Sequence, residues 1–217
     1  MMNYYAIIVA GGSGNRMKSK LAKQFLELEG MPILMHTILA FKNCIPMPHI
    51  LLVLNIDQHQ YWDDLCTKYQ FTVAHQVIKG GEQRYHSVKN GLKEIKGNGL
   101  VAIHDAVRPL VSAELIKRSY EQAAHLGNAI SAIHPTDSVR LEQHNNNKAL
   151  NRDELYLVQT PQTFQLKQLK KFYEVPYRNE FTDDDVFLQA DEVVSLRADC
   201  RFGEHSRRFL EGCCRQE

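Results

Sequence analysis

Four short stretches combine glycines, cations and carboxylates in ways suited to phosphate chemistry. The first, Gly11-Gly12-Ser13-Gly14-Asn15-Arg16-Met17, follows an apolar run from Tyr5 to Ala10. Glycines let backbone N–H groups come close to an anion. The stretch is not G-x-x-x-x-G-K-[ST], which speaks against an ATPase loop, and it is not G-x-G-x-x-G. Arg16 supplies a rigid fork of donors that matches phosphate oxygens. Lys23, in Lys23-Gln24-Phe25-Leu26, supplies a second cation. Read alone, the same residues are equally a plain turn and a pair of solvated charges.

The second stretch runs from Gly80 and Gly81 through Glu82-Gln83-Arg84-Tyr85-His86 to Ser87. It offers backbone donors and a hydroxyl able to bond a base or a phosphate; an ordinary helix N-terminus has the same look. The third is His104-Asp105-Ala106-Val107-Arg108-Pro109. An Asp at a strand end can hold Mg²⁺ that also touches phosphates, and Arg108 is placed for a second anionic substrate. The alternative is an Asp that caps the turn with the Arg paired to it. The fourth, Gln159-Thr160-Pro161-Gln162-Thr163, sets polar groups beside a proline that fixes the backbone. Beyond it, Phe181-Thr182-Asp183-Asp184 puts a hydroxyl and carboxylates at a turn, where a helix N-cap is the alternative.

Something must bring these stretches together. Tyr5–Ala10, Ile50–Leu54, Phe71–Ile78, Leu100–Ile103 and Ala129–Ile133 read as strands, several of them continuously apolar as in buried parallel sheets. Helical spacing lies between them: Leu34, Ile38 and Phe41; Gln58 to Tyr69; Val88, Leu92 and Ile95; and a helix capped by Ser112 that stops near Gly127. The alternation predicts an α/β fold with a doubly wound, mostly parallel, Rossmann-like sheet. Ligands of such sheets bind at the carboxyl ends of the strands, where the motif stretches fall. After Pro135 the pattern changes. Ser138–Glu142 alternates, Asn145-Asn146-Asn147 signals a turn, and Ala149–Val158 reads as extended. A projecting β-arm over about 136–160 is expected, packed on a partner because a lone hairpin has too little core. The chain then returns through a helix near Leu166 to Tyr173. No internal repeat or second domain is evident, so 1–217 reads as one domain.

Composition narrows the partners. The 217 residues carry a formal charge of +1, with 44% apolar and 24% charged residues. That balance gives no global field for nucleic acid or an anionic membrane, and no basic stripe is interleaved with aromatics. No run is long and apolar enough to span a bilayer, and the N-terminus lacks a signal-peptide pattern. The five cysteines show no C-x-x-C pair and no zinc spacing. A reducing cytoplasm is expected, with Cys44 and Cys66 as small buried apolar residues.

Taken together, the motifs resemble the 2-C-methyl-D-erythritol 4-phosphate cytidylyltransferase family, over about residues 4–196. Its G-x-G-x-R-M loop is met by Gly12 to Met17, and its P-K-Q by Ala22-Lys23-Gln24. G-G-x-x-R-x-x-S is met by Gly80 to Ser87, and H-D-A-x-R-P by His104 to Pro109. Its D-T pair appears as Asp137-Ser138 and its arm arginine as Arg152. T-P-Q is Thr160-Pro161-Gln162, and T-D-[DE] is Thr182-Asp183-Asp184. The resemblance implies in-line attack of methylerythritol phosphate on the α-phosphorus of CTP, with release of pyrophosphate. Arg16 and Lys23 would stabilise charge at the phosphates, with Gly11, Gly12, Ser13 and Gly14 around the nucleotide. Gly80, Gly81 and Ser87 would read cytosine. Asp105 would hold Mg²⁺ or another divalent cation. Arg108, Thr160 and Thr182 would line the acceptor site. Ser138 and Arg152 would reach it from a partner's arm, making a homodimer.

The match has departures. Ala22 replaces proline, Ser138 replaces threonine while keeping the hydroxyl, and His86 stands where Asp is common. From about 197 to 217 the chain is rich in Arg and Cys and lacks the family's N-I-K-[IV]-T segment, whose lysine points at the active site. A shifted reading frame would produce such a tail. It motivates one alternative, a catalytically impaired nucleotide-binding dimer. The other is a ribitol-5-phosphate cytidylyltransferase, which shares nearly all of these loops.

Overall fold

A computed structural model describes residues 2–10, 21–143 and 146–177, and the backbone of Ser195–Arg197. Gly11, Gly12, Ser13, Gly14, Arg16 and Thr182, the Asn145 turn and the tail beyond Arg197 lie outside the described residues.

The expected α/β architecture is present. Strand β1 (Tyr4–Ala10) lies near the middle of the main sheet. The next two strands, β2 (Glu27–Leu28) and β3 (Met31–Pro32), form a small separate ladder leading into helix α1 (Ile33–Lys42). On one side β1 pairs in parallel with β4 (His49–Leu54), which after helix α2 (His59–Lys68) pairs in parallel with edge strand β5 (Gln76–Lys79). On the other side, after helix α3 (Arg84–Glu94), β6 (Leu100–Asp105) also runs parallel to β1. Helix α4 (Ala113–Leu126) then leads to β7 (Asn128–Ile133). The Ser112 hydroxyl caps α4 by accepting from the Leu115 N–H at 3.1 Å, and Gly127 ends it with φ +93°. The hairpin strands β8 (Arg140–Gln143) and β9 (Asn146–Ala149) form their own ladder. Strand β10 (Leu157–Gln165) then runs antiparallel between β6 and β7, helix α5 (Leu166–Phe172) follows, and β11 (Ser195–Arg197) pairs in parallel with β7. The order is β11-β7-β10-β6-β1-β4-β5.

Strand side chains alternate between faces, and the sheet uses both. Ile8 and Ala6 join Leu34, Ile38 and Phe41 of α1, Trp62 of α2 and Ile116 and Tyr120 of α4 on one face. Ile7 and Val53 join Val88 and Leu92 of α3 and Leu166 and Leu169 of α5 on the other. Each such fully buried aliphatic or aromatic side chain contributes about 1.5–3 kcal/mol relative to exposure. This burial holds the strand ends, and the loops that leave them, on a fixed frame. Cys44 is buried as expected. Cys66 is half-buried against the core, and burial pushes its thiol up to about 11.

Three segments differ from the sequence reading. Of the run Phe71–Ile78, only the end belongs to the sheet, because Phe71 packs edge-on against Trp62 and Val73 against the same core instead of entering a ladder. Ala149–Val158 is interrupted by a 3₁₀ turn at Arg152–Glu154, where the Asn151 side chain accepts from the Asp153 N–H. Gln159–Thr163 is part of β10, with a cis Thr160–Pro161 bond and a register shift between Val158 and Gln162. Pro161 has no N–H to give the ladder, so the strand bulges there. The main sheet thus resumes at Leu157, short of the expected end of the arm at about 160.

Candidate active site

Strand β6 delivers its last residue to the carboxyl edge of the sheet. The turn that follows is fixed by four contacts. The Ala106 N–H donates to the Val9 carbonyl at 3.0 Å, and the Arg108 N–H to the Asp105 carbonyl at 3.2 Å. Thr37 Oγ1 donates to the Ala106 carbonyl at 2.8 Å, and the His104 ring Nε2 meets the Arg108 carbonyl at 3.1 Å. A carbonyl only accepts, so that nitrogen carries the proton. His104 is fully buried, and burial pushes its imidazole down to about 4. It serves as a brace beneath the turn.

On this braced turn the Asp105 carboxylate sits between two guanidinium groups. Arg108 Nε donates to Oδ2 at 2.9 Å, and Arg84 Nε lies 3.6 Å from Oδ1. Arg108 also donates through Nη1 to Gln159 Oε1. The Thr160 hydroxyl accepts from the Asp105 N–H at 3.3 Å. Two cations around one carboxylate leave a net positive cluster, an arrangement that draws anions to this edge. The pairing of Asp105 with Arg108, the alternative reading of this turn, is present, and both face the bulge of β10 that carries Thr160.

The Gly80–Gly81 loop leaves β5 beside the end of β4. The Gly80 N–H donates to the Leu54 carbonyl at 2.8 Å, and the Gly81 N–H to Ser87 Oγ at 3.0 Å. Ser87 in turn donates to the Gln83 carbonyl at 3.1 Å and is buried. The expectation of ligand-facing N–H groups at Gly80 and Gly81 is corrected here: both are spent on holding the loop. Gly81 admits no side chain, since a Cβ would lie 2.3 Å from the His86 Cβ. A cleft of about 640 Å³ opens beside the loop, lined by Asn55, Lys79, Gly80, Gly81, His86 and Asn90 among others.

Lys23 opens a 3₁₀ turn, Lys23–Phe25, and is half-buried. Its neighbours anchor it. Gln24 donates to the Ala10 carbonyl at 3.2 Å and to Gln58 Oε1 at 2.9 Å, while Phe25 packs edge-on against Tyr61. Lys23 is therefore tied to the last residue of β1, where the Gly11–Gly14 stretch begins. Ala22, ahead of the turn, has φ −67°. Proline fixes φ near that value, so alanine keeps the backbone that the family's proline would impose.

The arm residues stand apart from this cluster. Ser138 is exposed, and Arg152 Nη1 donates to the Thr136 carbonyl at 2.9 Å within the arm. Among the described residues, no hydrogen bond or ion pair joins either of them to Asp105, Arg108 or Thr160.

A family model described as 2-C-methyl-D-erythritol 4-phosphate cytidylyltransferase matches residues 4–194. The chain belongs to this family. A member from Azobacteroides pseudotrichonymphae is 47% identical over 195 residues, covering 90% of this chain and 88% of that protein. A member from Phocaeicola vulgatus is 46% identical, covering 87% and 86%. The crystal structure of the Francisella tularensis cytidylyltransferase superposes with a TM-score of 0.70 at 28% identity, over 97% of this chain and 99% of that one. A 4-diphosphocytidyl-2C-methyl-D-erythritol synthase from Anaerococcus prevotii shares the fold, with a TM-score of 0.80 at 24% identity and coverage of 98% and 96%.

Within this cytidylyltransferase-family chain, sequence reasoning singled out Asp105, Arg108 and Thr160, and the structure joins them. It assigned no part to Arg84, Gln24, His104 or Gln159, although all four stand inside the motif stretches. Their signal was position: each lies within a few residues of a candidate and has a side chain able to reach it. Gln162 is fully buried, and its amide donates to the Gln159 carbonyl at 3.4 Å, so it supports the strand.

Proposed function

We propose that this chain transfers the cytidylyl group of CTP to 2-C-methyl-D-erythritol 4-phosphate, releasing pyrophosphate, as a step of non-mevalonate isoprenoid precursor synthesis. The observation that carries the reading is the positive Asp105–Arg108–Arg84 cluster at the carboxyl edge of β6, beside Thr160, in a chain of this family. In-line displacement at phosphorus needs positioning and charge stabilisation more than a covalent nucleophile. Lys23 and Arg16 take the α-phosphate and the leaving pyrophosphate. Gly11, Gly12, Ser13 and Gly14 give backbone N–H groups to the phosphates. With their own N–H groups committed, Gly80 and Gly81 present carbonyls suited to the exocyclic amino group of cytosine, and Ser87 keeps that loop in shape. Arg108, Thr160 and Thr182 receive the acceptor's phosphate and hydroxyls.

A divalent cation fits the donor set in a limited way. Among the described residues, no group of three or more His, Cys, Asp or Glu side chains is placed to hold a metal. Mg²⁺ keeps several waters and is commonly held by one carboxylate plus phosphate oxygens. Asp105 supplies that carboxylate, and a bound Mg²⁺ would neutralise triphosphate charge. The active unit is a homodimer in which the arm of one chain brings Ser138 and Arg152 to the other's site. Support comes from the arm itself: every position of β8 and β9 is exposed, and so are the large apolar side chains of Leu141 and Tyr156. Residues 1–217 form one nucleotidyltransferase domain acting in the cytoplasm on small molecules. Among the described residues, no helix is long and apolar enough to cross a membrane.

The test is pyrophosphate release from CTP and Mg²⁺, with methylerythritol phosphate and ribitol 5-phosphate as parallel acceptors. Release with the first and little with the second is expected. Preference for ribitol phosphate would overturn the acceptor, and silence with both would overturn the activity.

A further inference from the structure

We propose that Arg84 is a positioning residue for this transfer: it holds the Asp105 carboxylate in place while Arg108 is released to the acceptor's phosphate. The inference rests on the cytidylyl-transfer reading and deepens it. The two arginines that face Asp105 differ in kind. Arg108 comes from the same turn, three residues on, and its side chain is 41% exposed and shared with Gln159. Arg84 comes from a different element, at the start of α3, and its side chain is 26% exposed. Its pair with Asp105 ties the loop after β5 to the turn after β6.

The backbone of Arg84 is held from both sides. Ahead of it, the Gln83 carbonyl accepts from Ser87 Oγ, which also fixes the Gly81 N–H. Behind it, Tyr85 stacks on Tyr173 at 4.8 Å, and its hydroxyl reaches the carbonyls of Tyr173, at 3.1 Å, and Val175. A guanidinium on so fixed a stem loses little freedom in making its contact, and Arg keeps more order per bond than Lys. Arg108 has the opposite character. A phosphate dianion is a stronger partner for its fork than a carboxylate that another guanidinium already shares. When Arg108 turns to the acceptor, Asp105 keeps the Arg84 guanidinium, which stands on the nucleotide side of the site. The pair Arg84–Asp105 thereby sets the carboxylate relative to the Gly80–Gly81 loop throughout turnover.

A double-mutant cycle on the full-length chain tests this, with Arg84→Met, Asp105→Asn and the pair, read by pyrophosphate release and by direct CTP binding. Arg84→Met is expected to lower kcat by about 10- to 100-fold while CTP binding changes by less than about threefold. In the Asp105→Asn background the same change should cost less than about twofold, because Arg84 acts through that carboxylate. Arg84→Lys should recover part of the loss in the wild-type background and none in the Asp105→Asn background. If Arg84→Met fails to fold, Arg84→Lys and Arg84→Gln complete the cycle. Equal losses in both backgrounds, or full activity in Arg84→Met, would overturn the proposal and leave the transfer reading standing. A wild-type chain that releases no pyrophosphate would sink both.

Discussion

His104 is fully buried, packed edge-on against Phe41 at 5.1 Å, and its Nε2–H holds the Arg108 carbonyl. Its Nδ1 is buried without a hydrogen-bond partner among the described residues. A proton there would put a charge into an apolar site, which is why burial lowers this group from its ordinary 6.5 to about 4. Between those values the unfolded chain binds the proton and the folded chain does not. Unfolding free energy therefore rises with pH across that window. The contribution is complete above about pH 6.5 and is lost progressively as pH falls toward about 4, on the order of 3 kcal/mol in all. Thermal melts of the wild type and His104→Gln at about pH 7 and pH 5 check this. The drop in Tm between the two should shrink in the variant. An unchanged drop would place the acid sensitivity in another group. Because His104 sits directly under the turn carrying Asp105 and Arg108, activity is expected to fail on acidification along with the fold.

At the scale of elements, the turn that carries Lys23 shows how a motif can lose a residue and keep its geometry. Ala22 holds φ −67° and ψ 141°, and its carbonyl accepts from the Phe25 N–H at 2.9 Å. Ala22→Pro would fit that backbone and narrow the unfolded ensemble, adding about 0.4–1 kcal/mol. For a chain of this size that is a rise in Tm of roughly 1–4 °C, with pyrophosphate release undiminished. A fall in Tm would show that the alanine N–H, which proline lacks, is in use. The same scale explains what could be read in advance. β1, β4 and β6 are continuous apolar runs buried on both faces, so their ends, and with them Asp105, were plain from the sequence. β10 was hidden. Gln159, Thr160, Gln162 and Thr163 look like loop residues, and Pro161 looks like a breaker. All lie in a strand, and all but the half-buried Gln159 are buried there because the sheet answers their polar groups: Thr163 Oγ1 donates to Ser119 Oγ at 2.9 Å, and Ser131 Oγ donates to the Pro161 carbonyl at 2.8 Å. Such satisfaction depends on residues far along the chain, and no local pattern announces it. The Arg84–Asp105 pair was hidden for the same reason, since its partners meet only after β5 and β6 take their places in the sheet.

At the scale of the whole molecule, the arm decides whether one chain suffices. Its ladder, Arg140 to Gln143 on Asn146 to Ala149, is exposed at every position, and a two-stranded hairpin is marginal in water by itself. Exposed Leu141 and Tyr156 add apolar surface that a second copy would cover. If the arm of one chain completes the site of the other, two impaired variants should rescue each other. Arg152→Ala damages the arm's contribution, and Asp105→Asn damages the site that receives it. In a mixed dimer one site inherits both lesions and the other inherits none. An equimolar mixture refolded together makes about half of its dimers mixed, each with one intact site, so activity should recover to about a quarter of wild type. Mixing without exchange should recover nothing. No recovery after exchange would mean that each chain builds its site alone, and the arm would then be an assembly element only. Sedimentation at several concentrations supplies the independent check: Leu141→Asp should shift the dimer toward monomer, and a monomeric wild type would remove the basis for the arm's role altogether.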